Sequence, residues 1–201
     1  MTITTEPEIS RLMMNALVSL PGATEEIVKF ELFNVLNEFF QVTKAWKEDV
    51  TFEVTSENTE YDVVPGEPGA VDSLISVVDA NEILTAATMP VIGVVKLSSA
   101  PSTSQEYTAT YSLTVVDPAR TDGYPQFPSA ILNKYQNDIL HGVLANMMAQ
   151  PAKPYSSERL AIYHMRKFRS GMARARTETL HQNLYNGQTW RFPQYARGSQ
   201  R

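Results

Sequence analysis

Residues 107–115 read Tyr-Thr-Ala-Thr-Tyr-Ser-Leu-Thr-Val. Tyr107, Ala109, Tyr111, Leu113 and Val115 alternate with Thr108, Thr110, Ser112 and Thr114. Side chains on a strand point to opposite faces in turn, so this stretch predicts a strand with one dry and one wet face. The same period of two holds at Val50, Phe52 and Val54, and at Tyr61 and Val63. Residues 74–78 and 91–97 are further expected strands. The turn-rich segments Pro65-Gly66-Glu67-Pro68-Gly69 and 98–104 separate them. About five strands within residues 50–118 are expected to form a small antiparallel sheet or sandwich.

On both sides the period lengthens to that of a helix. Ile9, Leu12, Met13, Ala16, Leu17 and Leu20 predict a helix over about residues 6–19. Thr5 and Glu8 have capping-box spacing, and Pro21-Gly22 ends the helix. A second helix is expected from Thr24 to Trp46. Thr24 is its candidate N-cap, and Glu25 and Glu26 oppose the positive end of its dipole. Val28, Leu32, Val35, Leu36, Phe39, Val42 and Trp46 form its stripe. Phe30, Phe33 and Phe40 widen the stripe, which predicts packing on more than one side.

Pro118, Pro125 and Pro128 bracket a linker, and two more helices follow, over about residues 129–149 and 156–181. The first is expected to pack through Leu132, Tyr135, Ile139, Val143 and Met147. Pro151-Ala152-Lys153-Pro154 is the corner, and Ser156 is the expected cap of the second. At 100° per residue, Ala161, Met165, Phe168, Met172 and Ala175 share one face of that last helix. Arg159, Arg166, Lys167, Arg169, Arg174 and Arg176 fill the other half. Gly142 and Gly171 fall inside the two helices, where each costs about 1 kcal/mol relative to Ala. Close helix–helix approach is the expected compensation. The fold class is therefore α+β, with about four helices in two pairs around a β-rich insertion. The expected division is a discontinuous helical domain (1–49 and 125–181), a β-rich insertion (50–118) and an extended C-terminal arm (182–201).

Charge is unevenly divided. Residues 151–201 carry ten Lys/Arg and two acids, a net of +8, and residues 1–150 carry seven against twenty, a net of −13. Such asymmetry speaks of partners rather than of fold. A solvated face usually mixes signs, and here only Glu158 and Glu178 relieve the last helix, so a solvated surface and a partner surface both stand as readings. Beyond it, Tyr185, Trp190, Phe192 and Tyr195 mingle with Arg191, Arg197 and Arg201. Aromatic residues and arginine are enriched at binding hot spots. Disordered tails are usually poor in aromatics, which favours an arm that orders on a partner over a plain tail.

Nothing points to catalysis. The chain has no cysteine, hence no disulfide and no thiolate metal site. His141, His164 and His181 lack the close spacing of a paired helical metal site, and His164 borders the apolar face as a packed residue. No phosphate loop, dinucleotide fingerprint, nucleophile elbow or zincin motif occurs. The acidic pairs Glu25-Glu26 and Glu48-Asp49 are expected at helix ends, where dipole compensation or solvation explains them. No secretory leader or apolar run of membrane-spanning length is apparent, which predicts a soluble protein made in the cytoplasm. No enzyme, no cofactor and no membrane partner are expected.

The order helix pair, β-rich insertion, helix pair and basic arm resembles the head–tail adaptor (connector) proteins of tailed bacteriophages, the group that includes tail tubular protein A. Two stretches carry the resemblance. One is Leu20-Pro21-Gly22-Ala23 with Phe33, Glu38-Phe39 and Trp46. The other runs from Ile131 through Gly142, Met147-Met148, Gln150-Pro151-Ala152-Lys153-Pro154-Tyr155, Leu160-Ala161, Tyr163, Phe168 and Gly171 to Ala175. The resemblance implies a structural virion protein at the head–tail interface, made in the host cytoplasm. It implies a ring, usually of twelve copies, beneath the portal protein, with Tyr185–Arg201 reaching up along the portal. A downstream tail component (nozzle or tube) or the neighbouring subunit would meet the β-rich region. Weak contact with genome DNA is also implied, since such a ring surrounds the exit path. The alternative is a nucleic-acid-binding protein that uses the basic helix and arm to track phosphates and stack bases. The overall charge of −5 and the lack of a recognisable DNA- or RNA-binding signature weigh against it.

Overall fold

The computed structural model describes residues 2–56, 58–66, 68–116 and 123–182. Four helices and two antiparallel sheets give an α+β fold. Two helices open the chain, α1 (Glu6–Val18) and α2 (Glu25–Thr43). Seven strands follow: β1 (Lys47–Val54), β2 (Glu60–Asp62), β3 (Gly69–Asp79), β4 (Leu84–Thr85), β5 (Ala87–Val91), β6 (Val94–Leu97) and β7 (Gln105–Val115). The chain then returns to helix in α3 (Ser129–Ala149) and α4 (Glu158–Gln182).

The stretch that announces the β region lies inside its sheet. β7 pairs with both β1 and β3, in a four-stranded sheet ordered β1-β7-β3-β4. Its dry face, from Tyr107 to Val115, is buried as the alternation predicts. Its wet face is not wet throughout. Ser112 and Thr114 are also buried, because that end of the strand runs beneath α2. The Thr114 hydroxyl donates to Asn37 Oδ1 of α2 at 2.6 Å. The Ser112 hydroxyl donates to Asp72 Oδ2 at 2.9 Å, and Lys44 Nζ pairs with the same carboxylate. Asp72 is the extra residue at a register shift in β3, and such a bulge re-aims a side chain.

The expected strand 91–97 is a single strand only over Val94–Leu97, and its start is the turn of a hairpin. β5 and β6 pair antiparallel about Ile92-Gly93, with Gly93 at φ +86°, a conformation that a Cβ would strain. With β2 they form a second sheet, ordered β2-β6-β5. The Tyr111 hydroxyl donates to the Val63 carbonyl at 2.7 Å and ties the two sheets together. Burial pushes its phenol up to about 12.

Helix α2 is shorter than its apolar run. Lys44 adopts a left-handed conformation (φ +52°) and ends the helix, so Trp46 leads into β1 rather than extending the helical stripe. Trp46 is still buried, its ring 5.6 Å from Phe40. Glu48 and Asp49 consequently lie in β1, not at a helix end. Phe33 and Phe40 are buried, but Phe30 is 57 % exposed. It lies about 60° beyond Phe33 around the helix, outside the covered arc. At the start of α1, the Thr5 amide donates to Glu8 Oε2 at 2.7 Å, the backward arm of a capping box.

The linker before α3 is fastened to the N-terminus. The Thr4 amide donates to the Phe127 carbonyl at 2.7 Å, and the Ser129 amide to the Thr2 carbonyl at 3.0 Å. Phe127 is fully buried against Phe40, at 5.4 Å between ring centres. Buried side chains from all four helices and both sheets form one continuous core.

Candidate functional site

The corner of the α3–α4 hairpin differs from its expected form at the cap. The Ser157 amide donates to the Met148 carbonyl at 3.0 Å, and the Ala161 amide donates to the Ser157 carbonyl at 2.9 Å. That bond opens α4 and places Ser157, not Ser156, at its N-cap. Ala152 takes a positive φ of +58°, and Tyr155 is buried beneath the corner.

Two glycines set the distance between the helices. A Cβ on Gly142 would fall 2.6 Å from Val35 Cγ1 and 3.1 Å from the Phe168 ring. One on Gly171 would fall 2.4 Å from Asp138 Cγ. The contacts with Val35 and Asp138 are closer than real Cβ atoms make and that with Phe168 is tight, so hydrogen at both positions lets α3 pack this close to α2 and α4. Ala161, Phe168, Met172 and Ala175 are buried on the inner face, and Met165 is half-buried.

That packing turns Arg159, Arg166, Lys167, Arg169, Arg174 and Arg176 outward, all exposed as the helical plot predicts. They are not equivalent. Arg174 bends across to Asp138 Oδ2 at 2.6 Å and also reaches Glu178 Oε1 at 4.0 Å. Glu178 accepts from Lys134 Nζ and from the Tyr135 hydroxyl, each at 2.6 Å. Those two bonds, Lys134 first, hold its carboxyl below the usual range. Arg174 therefore belongs to the hairpin's own polar seam. Lys167 lies 5.9 Å over the exposed Tyr163 ring. Arg159, Arg166, Arg169 and Arg176 make no ion pair among the described residues.

The hairpin also joins two histidines that their sequence separation kept apart. His141 Nδ1 of α3 and His164 Nδ1 of α4 are 2.8 Å apart. Burial lowers both pKa values. For His141, nearby Asp138 opposes that effect and Lys167 adds to it; for His164, His141 adds to it. The available signal was that both residues stand equally far from the corner of an antiparallel hairpin. Among the described residues, no group of three or more His, Asp or Glu could hold a metal ion. Among the same residues, no helix is long and apolar enough to cross a membrane. Tyr185, Trp190, Arg191, Phe192, Tyr195, Arg197 and Arg201, the expected arm, lie outside the described residues.

No protein-family model matches this chain, and no curated protein matches it.

Proposed function

We propose that this chain is a structural virion protein, a head–tail adaptor that forms a ring between the portal and the tail of a bacteriophage. Residues 182–201 dock on the portal in this reading, and the next tail component lies on the other side of the ring. The observation that carries the reading is the order of elements. Two helix pairs share one core, a β-rich segment is inserted between them, and the last helix leads with an exposed basic face into the aromatic-basic residues 183–201. The test mixes the purified chain with the cognate portal ring. Full-length protein is expected to bind and a chain lacking 182–201 to fail; equal binding by both would remove the arm from the reading.

Nucleic-acid binding is the second reading, favoured by the four arginines of α4 that make no ion pair. Phosphate contacts release counterions, so binding to a generic duplex should weaken steeply with salt. No measurable binding at low salt would exclude it.

A further inference from the structure

The outer face of the four-stranded sheet carries a like-charge pair. Asp49 and Glu53 project from β1, the edge strand, and Glu106 projects from β7; all three are exposed. Glu53 and Glu106 stand directly opposite each other in the antiparallel register. Like charges so placed destabilise a sheet. Neither glutamate makes an ion pair among the described residues. Asp49 accepts the Thr110 hydroxyl at 2.7 Å, which brings no positive charge.

The outer face of α4 has the opposite excess. Arg159 to Arg176 spans about 26 Å of helix. Of its acidic neighbours, Asp138 and Glu178 are already engaged by Arg174 and Lys134, which leaves Glu158 of its own first turn as the acid without an ion pair among the described residues. No ion pair among the described residues joins α4 to a strand. Each face thus lacks what the other has in excess, and one copy leaves both unpaired.

We infer that the α4 face of one copy docks on the β1–β7 face of a second copy, with Arg166 and Arg169 against Glu53 and Glu106. The inference rests on the adaptor reading only in taking the partner to be another copy. Two different patches meeting head to tail form a heterologous interface, which closes into a ring when the rotation permits. Because exposed ion pairs are individually weak, the association is salt-sensitive and becomes strong only where copies are concentrated.

Sedimentation of the full chain at low salt tests this. The natural chain self-associates, and added salt weakens it. E53K/E106K and R166E/R169E each weaken association about tenfold or more, since a rim attraction becomes a repulsion. All four changes in one chain restore it. The chain has no cysteine, so mixing Glu106→Cys with Arg169→Cys chains gives an oxidised dimer faster than either variant alone. A natural chain that stays monomeric at millimolar concentration overturns the docking, as does a fourfold variant that fails to recover. Loss of duplex DNA binding in R166E/R169E with self-association unmoved would overturn it too, and assign the face to nucleic acid. Portal binding, measured in parallel, separates the two readings. Portal binding with self-association insensitive to both charge pairs removes the docking and leaves the adaptor; charge-dependent association without portal binding does the reverse.

Discussion

His141 and His164 face each other Nδ1 to Nδ1 at 2.8 Å, one from each arm of the α3–α4 hairpin. Such a contact needs one nitrogen as donor and the other as acceptor, so at least one ring is neutral. Burial lowers both pKa values, so the unfolded chain takes up protons before the folded one. Stability is then fully present above about pH 6.5, the ordinary histidine value, and is lost progressively as pH falls from there through the lower folded values. Thermal midpoints measured across that window are expected to fall with pH. The slope should flatten in His164→Gln, whose amide does not titrate; an unchanged slope would refute the coupling. Asp138 opposes protonation-linked loss at His141 and Lys167 adds to it, so Lys167→Gln should make the fall smaller.

Gly142→Ala is expected to destabilise the protein by about 1–3 kcal/mol, through overpacking against Val35 and Phe168. The sign is the diagnostic. In an open helix the same change would stabilise by about 1 kcal/mol. Denaturant midpoints at matched slope decide between the two.

Tyr111→Phe keeps the ring and deletes the bond to the Val63 carbonyl between the two sheets. A loss of about 1–2 kcal/mol is expected, because the buried carbonyl is left without its donor. Hydrogen exchange should also quicken at the Val63 amide, which donates to the Gly93 carbonyl. Equal protection in both proteins would mean that the sheets are held together elsewhere.

Phe127→Ala should cost about 3–5 kcal/mol, as for other buried aromatic truncations. Phe127 also lies beside the hydrogen bonds that hold residues 2–4 to the linker. Limited proteolysis is therefore expected to cut first within that N-terminal segment. Cleavage first at the α3–α4 corner would argue against this order.

The elements were legible where one face of one element carried the pattern. The alternation of 107–115 gave β7, and the stripes of the helical runs gave all four helices, because the apolar face of each element is written in its own residues. The strand boundaries at 91–97 were not legible. A run of apolar residues reads alike with or without a two-residue turn, and only Gly93 punctuated it. Trp46 was misplaced for a related reason: α2 ends through the left-handed Lys44, a residue that carries no stop signal.

The outward arginines of α4 were legible in the same way, as half of one helix. Which of them are left unpaired was not. Arg174 finds Asp138, and Glu178 finds Lys134 and Tyr135, only because Gly142 and Gly171 let α4 come close to its neighbours. The sequence by itself determined the period and sign of each face. The tertiary structure alone decided which faces meet: His141 with His164, Ser112 with Asp72 beneath α2, Glu53 opposite Glu106. Those pairings depend on register and on approach between segments far apart along the chain, and no local pattern of residues encodes either.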